Sequence, residues 1–287
     1  MIYVGALAFL ATGLQSVLAT LATLIKFYPQ TRTATELIQR LKNAGRLETD
    51  LPNPPANIHV SAKPRIAGSE RRRRMARGDL AVLLTKTQLR RLSLQEVMAP
   101  LRRASDAPPA FWNTAAFLAY AESLPSGTVA ESVLGNDKSE SARTWLEAFL
   151  AQALGDSYKT LLPKGLETRL AEERWDLLSP CEKSALALAG ACAEAHGVLF
   201  LDVGIAEKLP NDIIRDLPRT RDIQYVFIVS SKVNLSLQAD HYVVANEKAI
   251  IGLGSASWVE TQRETIAPLV TRTQGEAYSD DLLDEDF

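Results

Sequence analysis

The chain has 287 residues, 46% of them hydrophobic, with a formal net charge of −2. That supplies one substantial core and a small second element. Two cysteines make no disulfide framework, and three histidines without ligand spacing argue against a zinc site. Charge is unevenly spread: Lys63–Arg103 is strongly basic, whereas Ser279–Phe287 is acidic and expected to be disordered.

Ile2–Ile25 carries no charged residue and is long enough to cross a hydrocarbon core of about 30 Å. Gln15 would be costly against lipid, so it is expected to face other helices or a polar cavity. Lys26, Arg32, Arg40 and Lys42 follow the span and no cation precedes it, which places the C-terminal side in the cytoplasm. A cleaved signal peptide competes with this reading, but the basic leader and a clean small-x-small site are missing. Thr33–Leu41 continues as an amphipathic helix. Leu51–Pro64, with Pro52, Pro54, Pro55 and Pro64, reads as linker rather than buried element, and Arg71–Arg74 follows it. Those arginines suit anionic lipid or nucleic acid, with a solvated basic face as the plainer alternative.

Asp79–Leu84 reads as a strand, and Leu92–Leu101 and Trp145–Leu154 as helices. Phe111–Tyr120 is ambiguous between helix and strand. The chain is organised around Leu177–Val203. Ser179 stands where an N-cap oxygen is useful, Pro180 suits the first helical position, and Gly197 after His196 is expected to end the helix. The apolar run Val198–Leu201, closed by Asp202, reads as a buried parallel strand whose carboxyl end is where open α/β sheets bind ligands. Tyr225–Ser230 is a further buried strand, and His241–Val244 with Ala249–Ser255 forms a terminal hairpin.

Leu178-Ser179-Pro180-Cys181-Glu182, followed by Leu199-Phe200-Leu201-Asp202, resembles the signature corner and Walker B strand of exporter-type ABC half-transporters. Leu162–Leu170 looks like the segment that precedes their signature, and Ser126–Ser132 like their Gly-Thr-Val-Ala-Glu turn. The resemblance implies a transmembrane helix running into a cytoplasmic helix (1–45) and an ABC-type ATPase-like α/β domain with a mixed or parallel sheet (78–265), and composition adds a Pro/Arg-rich linker (46–77) and a disordered acidic tail (266–287). Near Phe117–Tyr120 it favours a strand. The other membrane helices of the family have no counterpart here, which suggests the tail of a longer ancestral transporter or a gene start that has moved inward.

Against that family the chemistry is eroded. A phosphate loop needs glycines whose N–H groups wrap phosphate and a lysine to neutralise it, yet no glycine here precedes a lysine, and none occurs between Gly78 and Gly127. Thr85–Ser93 occupies its place. Val203 replaces the carboxylate that polarises water, and Ser231 replaces the switch histidine. Glu122 is the nearest stand-in for the magnesium-contacting glutamine, and no aromatic residue lies between Tyr28 and Phe111 to stack on adenine. Ser179, Pro180, Cys181 and Glu182 keep the capability to face a partner's nucleotide in trans, weakened because Cys181 adds a side chain where glycine is expected. Asp202 keeps the Walker B position. The plainer alternatives make Ser179 a helix cap and Asp202 a backbone-capping carboxylate.

The expectation is therefore a membrane-attached pseudo-ATPase of the inner membrane, with no catalytic residue, metal or cofactor of its own. It would serve as structural or regulatory partner of an intact half-transporter, or of itself, with ATP and magnesium reaching it only through that partner. An active heteromer using the signature in trans is the alternative, followed by a basic-patch nucleic-acid regulator and a decayed gene product.

Overall fold

A computed structural model describes residues 55–271, apart from 88, 90–93, 122–126, 136, 138, 171–174, 196, 221–222 and 234–235. All fall in the unit Pro54–Phe287. The expected membrane span and its amphipathic continuation lie outside the described residues. Among the described residues no helix is long and apolar enough to cross a membrane.

Among the described residues eight strands form: β1 (Asn57–Ser61), β2 (Arg72–Ala76), β3 (Leu80–Leu84), β4 (Ala116–Leu118), β5 (Gly197–Asp202), β6 (Ile223–Ser230), β7 (His241–Ala245) and β8 (Ile250–Gly254). The last six make one sheet in the order β4-β5-β6-β3-β7-β8, parallel except for the antiparallel β8. The central strands are near-continuous apolar runs because both faces are covered. Side chains alternate between two cores. Leu80, Val82, Leu84, Leu199, Leu201, Val226 and Ile228 enter one, and Ala81, Leu83, Val198, Phe200, Tyr225, Phe227 and Val229 enter the other. A largely parallel mixed sheet of this kind fits the ATPase-like architecture that the resemblance implies.

The helices are α1 (Leu94–Ala104), α2 (Pro109–Trp112), α3 (Val129–Leu134), α4 (Glu140–Leu154), α5 (Ser157–Leu161), α6 (Pro180–Glu194), α7 (Val203–Ala206), α8 (Asn211–Asp216), α9 (Ala256–Thr261) and α10 (Arg263–Val270). Apolar residues of α3, α4, α6, α9 and α10 fill the first core. Those of α1, α2, β1 and β2 fill the second, around a cluster in which Phe200 stacks on Phe227 at 5.2 Å and Phe111 meets Trp112 and Tyr225 edge-on. Thr128 and Glu131 close a capping box at the start of α3, which accounts for the Gly-Thr-Val-Ala-Glu pattern locally.

Three expectations are corrected. The reading of 46–77 as linker fails over 57–76: β1 and β2 pair antiparallel and bury Ile58, Val60 and Met75. The four arginines hid this strand, because alternation turns Arg72 and Arg74 to solvent while Met75 points inward. The boundary at 265 also moves, since α10 runs to Val270 with Ile266 and Val270 fully buried, so the tail cannot begin at 266. Finally, α6 is closed by Ala195 in an extended conformation, and Gly197, at φ +100°, opens β5 instead of capping the helix.

Candidate functional site

Helix α6 begins as the residues dictate. Ser179 Oγ accepts the Glu182 N–H at 3.3 Å and the Glu182 carboxylate accepts the Ser179 N–H at 2.7 Å, a complete capping box with Pro180 at the first helical position. Only Ala195 and His196 separate this helix from β5, so it runs back along the sheet. At about 22 Å for fifteen residues it matches the roughly 20 Å of β5 in length.

Register brings the predicted residues that follow β3, β5 and β6 to one edge of the sheet. Asp202 aligns with Val229 and Leu84 with Ser230, so Asp202, Ser231 and Thr85–Thr87 leave the sheet side by side, β5 and β3 standing roughly 10 Å apart with β6 between them. Glu122 lies outside the described residues.

What these groups do at that edge is specific. Asp202 is the N-cap of α7: Oδ1 accepts the Gly204 N–H at 2.7 Å. Burial pushes its carboxyl above the ordinary range, against the downward pull of that N–H and of Lys208. Thr85 is buried and donates its N–H to Ser230 O at 2.9 Å, while the Thr87 N–H goes to Thr85 Oγ1 at 3.2 Å. Ser230 Oγ turns onto Lys232, donating to its carbonyl at 2.7 Å and accepting its N–H. Cys181 is half-buried, and burial, with Glu182 adding, pushes its thiol up, so it stays protonated at neutral pH despite the helix N-terminus.

Several groups that a triphosphate with magnesium would use are already bonded within the chain. The Thr85 and Thr87 amides after β3 are engaged, the carboxylate at the end of β5 is committed to Gly204, and the capping box places the Glu182 carboxylate on the helix end that would otherwise attract an anion. Among the first-turn amides of α6, only that of Cys181 is left by the box, Pro180 having none.

Two features escaped sequence reading. Arg73 Nε donates to His241 Nδ1 at 2.7 Å, which obliges His241 Nε2 to carry the proton it shares with Asp79 Oδ2, also at 2.7 Å. Asp79 further accepts the Ala76 N–H, and Arg73 reaches Glu70 and the Asp240 carbonyl, so the network ties β2 to β7 and to the turn before β3. Arg73 and His241 are 168 positions apart, a separation without local signal. The second is a cleft of about 660 Å³ among His59, Lys63, Arg72, Arg103, Asp106 and Lys248. A smaller cavity of about 180 Å³ is lined by Asp212, Arg215, Asp216, Arg219 and Asp240. Neither contains Ser179 or Asp202.

No protein-family model matches the chain, and no curated protein matches it. Among solved structures it is similar to one described as a bacterial Atm1-family ABC exporter with ATP bound, at 14% identity and a TM-score of 0.47 over 81% of this chain and 46% of that one. The chain thus spans about half the length of that exporter. A likeness of this degree carries no functional weight, and function rests on this chain's own residues.

Proposed function

We propose that this chain is a degenerate exporter-type ABC ATPase-domain protein, attached to the inner membrane through Ile2–Ile25 with its C-terminal domain cytoplasmic. It does not hydrolyse ATP by itself and acts as structural or regulatory partner of an intact half-transporter. The observation that carries this is the internal commitment of the groups at the carboxyl edge: the Thr85 and Thr87 amides and the Asp202 carboxylate all bond within the chain. Scaffold and signature corner support the family reading, while function follows the site rather than the fold. Assay of the purified chain with magnesium and ATP should give no turnover above background. Turnover that disappears in Asp202→Asn would refute the proposal.

Exposure of Ser179 at the start of a fifteen-residue helix favours a second reading, contact with a partner's nucleotide in trans. In a complex with an intact half-transporter the two separate: Ser179→Ala leaves ATPase activity unchanged if Ser179 is only a cap, and abolishes it if the corner meets phosphate.

A further inference from the structure

Three segments remote in sequence enclose the 660 Å³ cleft: β1 and β2 with the residues after β1, the last turn of α1 with Ser105 and Asp106, and the turn between β7 and β8. Its walls are tied together by backbone bonds, Lys63 N–H to Ile250 O at 2.9 Å and Asp106 N–H to His59 O at 3.2 Å. Arg103 is held across the opening by donating to Glu247 O at 3.0 Å. The cleft is therefore built before any ligand arrives, and its volume falls within the roughly 300–1,000 Å³ of small-molecule sites.

Its charge is one-sided. Lys63, Arg72, Arg103 and Lys248 line it against one carboxylate, Asp106. That carboxylate is already satisfied, by the His59 N–H at 2.7 Å, the His59 ring at 2.9 Å and Arg72 at 3.3 Å. The carbonyl end of α1 contributes about half a negative charge, which four cations outweigh. Among the described residues no Phe, Trp or Tyr lines the cleft, so none of them stacks on a nucleobase there. Arginine forks and lysine ammonium groups without an aromatic platform suit phosphate oxygens.

We propose that this cleft binds a multiply phosphorylated anion through Lys63, Arg72, Arg103 and Lys248. It lies at the carboxyl end of α1, about 16 Å along the helix from Leu94, and is independent of the ATPase-like reading.

The test is calorimetric titration of the full chain with sodium tripolyphosphate, and in parallel flotation with phosphatidylglycerol vesicles. The expected result is saturable binding that weakens with salt and falls about tenfold or more in Arg103→Ala/Lys248→Ala, while Lys159→Ala/Arg263→Ala, which removes two exposed cations elsewhere, changes it by no more than about twofold. Both pairs should melt like the parent. Since Ile2–Ile25 is proposed to insert into the bilayer, flotation counts only where tripolyphosphate removes it: tripolyphosphate binding with flotation unchanged identifies a free ligand, and flotation that tripolyphosphate reduces identifies a lipid headgroup; either supports a phosphate site. The proposal fails if the parent binds neither probe, if the two pairs weaken binding equally, or if a single-stranded oligonucleotide binds and tripolyphosphate does not displace it.

Discussion

Asp202 is the residue on which the candidate site turns. Its carboxyl holds a proton more tightly in the folded chain than in the unfolded one, because burial outweighs the Gly204 N–H and Lys208. Stability from this group is thus fully present below the ordinary carboxylate range and is lost as pH rises through the raised folded value. Asp202→Asn removes the charge and keeps an acceptor for Gly204. Its melting temperature at pH 7 should match or exceed the parent's, and the advantage should vanish on acidification below the ordinary carboxylate range. A marked loss at pH 7 would show the carboxylate holding a cation instead. The sequence made Asp202 stand out through its place at the end of an apolar run. What it could not show is that the acceptor is spent on an amide two positions later, a matter of local chain direction.

The pairing of β8 with α9 shows why element-level reading succeeds in outline and misses detail. Gly252 and Gly254 sit in a fully buried strand, where glycine ordinarily weakens pairing. The Trp258 indole lies against both: a Cβ on Gly252 would meet Cη2 at 2.7 Å, and one on Gly254 would overlap the ring. Trp258 Nε1 donates to Ala67 O at 3.0 Å, which holds the ring in place. Gly254→Ala should therefore cost about 2–3 kcal/mol of unfolding free energy by overpacking, measured by urea denaturation. Adding Trp258→Leu should recover part of it, and a neutral Gly254→Ala would contradict the packing. The hairpin itself was legible from its apolar runs, as were β3, β5, β6 and the capped start of α6. By contrast β1 and β2 were not, because each buries one or two side chains among prolines and arginines. In α10 the signal was just as faint, two buried residues one turn apart.

For the whole molecule the single sheet is the common wall of two cores, so neither can empty without exposing the other. Phe227 lies in the core under β1 and β2, and Leu186 in the core under α4 and α6; both are essentially inaccessible to solvent. Phe227→Ala and Leu186→Ala should each cost roughly 3–4 kcal/mol. Both should lower the midpoint of the same unfolding transition, with costs that add in the double variant because the two side chains lie in separate cores. Two separable transitions would show that the layers unfold independently.

By itself the sequence determined the class of fold and the central helix and strand, because continuous apolar runs, an N-cap serine before a proline and helical spacing are local patterns that the backbone must obey. It also determined that the segment after β3 carries no glycine to wrap a phosphate. Tertiary structure alone decided that Lys63, Arg72 and Arg103 meet Lys248, that Arg73, His241 and Asp79 form one network, and that the Thr85 N–H bonds to Ser230 O. Each of those outcomes depends on strand order and register, which bring together residues more than a hundred positions apart that no periodicity links.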